Sequence, residues 1–345
     1  MKNPNNDSVL PHELSLYDDE LLAVAREEVD HYKASDLRNF GEPTVIDLID
    51  GRQTTYYSYP VEESRGNIVF FQPVANSMKP QAMAQVLAMQ ALTKRSVTVI
   101  EQNNYKLNHR ERQLVSHGDF APLGEIRLQA IEQALGRSAL DDELTISGFS
   151  FGATDAAATS AAIARHDAFE IDGAVYGEPT NILRRSLLSL GKAFAGTSDT
   201  ELLGSVLMAK FPALTELWDI SSDGKKSSYL NKDLRGFVID FSKHRNITPV
   251  RGLCYPNFAN DVVSSLATVK PSGNIIVHKD DDSVLTPRNA FDRQIKVIKD
   301  AVGTDMEINI EDIRTTTDEK VGHAIGDNPW AWSTIVRLAL KDLNF

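Results

Sequence analysis

One stretch narrows what this chain can fold into more than any other: Glu143-Leu-Thr-Ile-Ser-Gly-Phe-Ser-Phe-Gly-Ala-Thr-Asp-Ala-Ala-Ala-Thr-Ser-Ala-Ala-Ile-Ala164. A β-type run from Leu144 to Ser147 stops at Gly148, and after Gly152 a long Ala-rich run of helix formers follows without a breaker. The pattern predicts strand, tight turn, helix. The turn holds Gly-Phe-Ser-Phe-Gly, the G-x-S-x-G spacing of a nucleophile elbow, with Ser150 at its apex. A serine at the tip of so sharp a turn sits in a strained backbone conformation, and side chains two residues to either side would collide there. Gly148 and Gly152 remove those collisions. Chance alone places this spacing in roughly one chain in ten of this length. The weight therefore rests on its position between an apolar strand and a helix whose small residues let it lie close to a sheet. The alternative is an ordinary Gly-rich strand-to-helix turn.

The chain has 345 residues, enough for one large α/β domain with an insertion and a sizeable core. Hydrophobic residues make up 42% and charged residues 24%, as in a soluble globular protein. A net charge of −12 argues against a general binder of phosphate backbones, so nucleic acid is not an expected partner. The one cysteine, Cys254, cannot form an intramolecular disulfide, and the first thirty residues lack a basic-then-apolar signal pattern. These features lead us to expect a reduced, cytoplasmic protein. No apolar run approaches the roughly 20 residues of a membrane span.

In chain order, residues 1–43 form an extension that is polar at first and then shows helical spacing between Tyr17 and Ala34. Thr44–Ile49 and Thr54–Tyr59, separated by Asp-Gly-Arg-Gln, predict two antiparallel strands in a hairpin. Strands and helices then alternate: Asn67–Phe71, a helix over Pro80–Lys94, Ser96–Ile100, and a helix over Leu123–Gly136 before the elbow strand. After the elbow helix come Ile171–Tyr176, Asn274–Val277, a helix from Pro287 to Ala301, Met306–Ile310 and a last helix from Pro329 to Leu343. Alternation of this kind implies a mostly parallel, doubly wound sheet with an antiparallel N-terminal edge. It breaks down over residues 181–269, which read as a helical cap insertion between the core segments 44–180 and 270–345. An insertion there would lie above the carboxyl ends of the strands, where open α/β sheets bind ligands.

The order of elements, together with the elbow, resembles the α/β-hydrolase superfamily over most of residues 44–345. In that family the catalytic residues follow the chain order Ser, acid, His. His-Lys-Asp-Asp-Asp-Ser-Val-Leu-Thr-Pro287 looks like the family's acid loop, and Val-Gly-His-Ala-Ile-Gly326 is similar to its histidine loop. The resemblance implies a triad of Ser150, Asp282 and His323. Asp282 best matches the family spacing, with Asp280 and Asp281 as alternatives. The oxyanion donors would be the amides of Phe151 and Val74. Where the family often has His-Gly, this chain has Gln72-Pro73, and Pro73 has no N–H to give. The Gln72 side chain is a candidate for orienting substrate. His117-Gly118, after the fourth strand, reads as loop.

The trio has a physical rationale. A serine hydroxyl is a weak nucleophile until an imidazole accepts its proton, and a buried carboxylate fixes that imidazole's tautomer and stabilises its charged form. The implied activity is a serine hydrolase acting on a small acyl substrate, a carboxylic ester first. Peptidase or thioesterase chemistry uses the same constellation, and a non-catalytic binding protein with an unused elbow is the reading from another class. No cofactor or metal is called for: neighbours such as His278 and the three aspartates rarely all point at one ion.

Overall fold

Ile68-Val-Phe-Phe71, Val97-Thr-Val-Ile100 and Leu144-Thr-Ile are rich in β-branched and aromatic side chains, which suits strands covered on both faces. The computed structural model of the protein describes residues 43–71, 80–100, 107–140, 143–177, 179, 257–266, 274–278, 288–302, 309–312 and 336. Its strands are β1 (Thr44–Asp47), β2 (Gln53–Tyr59), β3 (Asn67–Phe71), β4 (Ser96–Ile100), β5 (Leu144–Phe149), β6 (Gly173–Gly177), β7 (Asn274–His278) and β8 (Asn309–Asp312). Its helices are α1 (Pro80–Thr93), α2 (His109–Ser116), α3 (Ala121–Leu140), α4 (Phe151–His166), α5 (Phe258–Ser265) and α6 (Arg288–Val302).

The strands form one sheet in the order β1-β2-β4-β3-β5-β6-β7-β8. The hairpin pairs antiparallel, with Thr44 opposite Tyr56, and β2 meets β4 antiparallel. Every pair from β4 to β8 is parallel, so the mostly parallel sheet with an antiparallel N-terminal edge stands as expected. From β3 the chain steps outward to β4, then returns past β3 to β5 and continues the other way. The reversal falls between β3 and β5, whose carboxyl ends are level, with Phe71 opposite Gly148. A doubly wound sheet opens its crevice at such a point.

Helix α4 runs through the core. All residues from Phe151 to Ile163 are buried, against α3, α5 and strands β3, β5 and β6. Alanine, serine and threonine make this possible, because their short side chains let neighbouring backbones come close. At Gly124 of α3 an added Cβ would lie 2.2 Å from the Ala158 carbonyl oxygen of α4, so only glycine fits that crossing. At the opposite end of the sheet from the crevice, the buried Arg95 guanidinium bonds Glu143 at 2.5 Å and Asp172 at 2.9 Å, just ahead of β4, β5 and β6. That cluster ties strand starts together.

Several details depart from the sequence reading. Strand β5 runs on through Phe149 because Gly148 and Phe149 remain paired with Tyr176 and Gly177 of β6. The last strand, described over Asn309–Asp312, runs beyond the expected end at Ile310, its expected start over 306–308 lying outside the described residues, and α2 was not foreseen. Helix α3 extends to Leu140, but Gly136, at φ 72° and ψ 163°, breaks it where the sequence reading ended it. His117-Gly118 lies in the turn between α2 and α3. Of the stretch read as a cap insertion, only residues 257–266 are described, and α5 there packs on α4 and α6. The helix expected over Tyr17–Ala34 lies outside the described residues, as does the one over Pro329–Leu343 except for Val336, which is helical and buried. Among the described residues no helix is long and apolar enough to cross a membrane.

Candidate active site

Ser150 stands at the carboxyl end of β5 with φ 57° and ψ −127°, a backbone conformation L-residues rarely adopt. Holding a non-glycine residue there costs about 1–3 kcal/mol and persists only where the surroundings dictate it. They do so from both sides. The Ser150 N–H donates to the Gly177 carbonyl at the end of β6 (2.8 Å), and the Ser150 carbonyl accepts from the Ala153 N–H (3.1 Å). The flanking Phe149 and Phe151 rings are buried, and Phe151 meets Phe120 edge to face at 6.0 Å. The serine between them keeps partial exposure.

The first glycine of the motif has a geometric cause. A Cβ on Gly148 would come within 2.3 Å of the Gly152 carbonyl oxygen and 2.5 Å of its carbon. The clash that Gly148 avoids is thus between the two arms of the turn, with the backbone at the start of α4.

Ser150 is also the N-cap residue of α4, yet its side chain makes no capping hydrogen bond to that helix. The Phe151 amide, at the first position of the helix, lacks an intrahelical acceptor and lies at the positive end of the helix dipole. A hydroxyl beside such an amide suits attack on a group that develops negative charge.

Of the residues singled out in the sequence, the structure describes Ser150 and Phe151 and places them next to each other at the switch between β3 and β5. Gln72, Val74, Asp280, Asp281, Asp282 and His323 lie outside the described residues. Strand β3 ends at Phe71, and β7 ends at His278. Both strands run parallel to β5, so they end at the same edge of the sheet as the elbow. Among the described residues no group of three or more His, Cys, Asp or Glu could hold a metal ion.

Two charged features were missed. Asp155, fully buried in α4, pairs with the equally buried Arg127 of α3 at 2.8 Å. Asp261 of α5 is buried close to Asp119 and Arg165. The first had a signal: Asp155 is the lone acid in a run of small residues, and a carboxylate inside a buried helix requires a cation.

No protein-family model matches the sequence, and neither does any curated protein. Solved structures do match. The naproxen esterase (carboxylesterase NP) from Bacillus subtilis superposes with a TM-score of 0.56 at 11% identity, over 94% of this chain and 99% of its own. An acetylester hydrolase from Corynebacterium glutamicum gives 0.51 at 13% identity, over 90% of this chain and 98% of its own. At such identities the likeness is one of fold.

Proposed function

We propose, from the α/β-hydrolase fold that this chain has, that it is a serine hydrolase cleaving an acyl bond, with a carboxylic ester as first substrate. One observation carries the reading: Ser150 is held at φ 57° at the crevice edge, next to the N-terminus of a buried helix. Strain of this kind clusters at functional sites, and here it presents a hydroxyl. The neighbouring folds named as esterases favour an ester over an amide or thioester.

In the proposed reaction His323 takes the Ser150 proton as Oγ bonds the acyl carbon. The carbonyl oxygen becomes an oxyanion held by the Phe151 and Val74 amides, with Gln72 orienting the substrate. Collapse expels the alcohol, which leaves with the proton from His323. Water then repeats the sequence on the acyl-enzyme, releasing the acid and restoring Ser150. Asp282, with Asp280 and Asp281 as alternatives, orients His323 and stabilises its cation.

A fluorophosphonate probe tests the proposal. Labelling of the wild type that vanishes in Ser150→Ala, together with turnover of chromogenic esters, is the expected result. A folded wild type that neither labels nor turns over would favour a binding protein with an unused elbow.

A further inference from the structure

Helix α4 presents mainly small side chains to its neighbours, so directional contacts matter for its placement. Tyr176 of β6 donates to Ser160 at 3.2 Å, and Glu125 of α3 pairs with Arg165 and His166 at the far end of the helix; the directional contact nearest Ser150 is a buried ion pair. Asp155 Oδ2 accepts from Arg127 Nη2 at 2.8 Å, with the two side chains 0% and 1% exposed. The Arg127 guanidinium carbon also sits 5.6 Å from the ring centroid of Phe71, the last residue of β3. Phe71 in turn pairs with Gly148, at the root of the elbow. One arginine on α3 thus reaches both the nucleophile's helix and the strand across the switch point. Asp155 is five residues beyond Ser150, about 7.5 Å along the helix axis at 1.5 Å per residue.

Stability alone does not account for such a pair. Taking both charges out of water is expensive, and apolar residues of like volume often do as well or better. What apolar packing lacks is direction. A planar guanidinium bonded to a carboxylate and set over a ring constrains both the rotation and the axial position of the helix that carries Asp155. We propose that the Arg127–Asp155 pair is a positioning device: it locks α4 to the end of β3 and so sets where Ser150 stands in the crevice. This rests on the serine-hydrolase reading, because a serine displaced by an ångström loses alignment with the acyl carbon while the substrate still binds.

The test compares wild type with the double variant Arg127→Met/Asp155→Leu, which fills the same space without charge, on an activated chromogenic ester and a fluorophosphonate. The double variant is expected to fold, to lose about ten- to a hundred-fold in kcat with KM unchanged, and to be inactivated by the phosphonate more slowly in proportion. Arg127→Lys, which keeps the charge but not the planar group, should recover part of the rate. If the double variant does not fold, Asp155→Asn is read on the same two rates and should show a smaller loss in both. Wild-type kcat and inactivation rate in the variant so read, or a raised KM at unchanged kcat, would overturn the positioning role while labelling at Ser150 stands. A wild type that never labels would instead sink the serine-hydrolase reading on which the role depends.

Discussion

Asp261 is expected to make the stability of this protein fall as the solution becomes more alkaline. Its carboxyl is buried on α5, which docks beside the α2–α3 turn through a hydrogen bond from the Asn257 N–H to the Gly118 carbonyl at 3.0 Å. Burial pushes its pKa from the ordinary 3.8 up to about 7; the Asp119 carboxylate adds to the rise, and the Arg165 guanidinium opposes it. The folded protein therefore holds a proton that the unfolded chain releases near 3.8. The resulting stabilisation is complete below that pH and is lost as pH rises through about 7. Each unit of difference is about 1.4 kcal/mol. Between pH 5 and 8 this carboxyl alone should lower the unfolding free energy by about 2–3 kcal/mol. Asp261→Asn keeps the shape and cannot ionise, so urea unfolding of both proteins at pH 5, 6, 7 and 8 isolates the effect. The variant's advantage should grow by about 2–3 kcal/mol over that range and flatten above about pH 7.5. A difference that stays constant with pH, or a wild type that gains on the variant as pH rises, would refute the reasoning.

Three further outcomes are expected. Ser150→Ala should abolish ester turnover with thermal stability nearly unchanged, whereas Ser150→Gly, free of the positive-φ penalty at φ 57°, should gain about 1 kcal/mol in denaturant unfolding; a large loss of stability in either would contradict the elbow. Gly148→Ala drives a Cβ to 2.3 Å from a backbone oxygen and should lower unfolding free energy by about 3 kcal/mol or more, so a wild-type melting temperature in that variant would mean the turn is not so tight. Asp282→Asn should reduce kcat by about 10³- to 10⁴-fold, with little effect from Asp280→Asn or Asp281→Asn; equal losses at all three positions would deny Asp282 its special role.

What the sequence disclosed depended on how local the cause was. The elbow was legible because its glycines, serine and flanking pattern lie within five residues, and the clash that Gly148 avoids is with Gly152. The hairpin and the central strands were legible from apolar and β-branched runs. Helix α2 could have been found, since Asn108 and Glu111 form a capping box in which each side chain bonds the other's backbone N–H. The Arg127–Asp155 pair spans 28 residues, and Asp155 names no partner until α3 is laid across α4 at Gly124. Asp261 likewise looks like any helix-start acid, and only tertiary packing removes it from water.

The register of β3 against β5 bears on the order of events in folding. Phe71 and Gly148 are 148 − 71 = 77 residues apart in the chain, with β4 and three helices between them. Closing so long a loop is slow, whereas the Gly177 carbonyl that holds Ser150 comes from β6, which pairs with β5 across a much shorter stretch of chain. The strain is expected to be felt in full only when the turn is packed on both sides, after the slow encounter of β3 with β5. Relieving it with Ser150→Gly is expected to leave the refolding arm of a denaturant chevron in place and to slow the unfolding arm. On that expectation the serine that would do the chemistry shortens the lifetime of the native state without impeding the route to it.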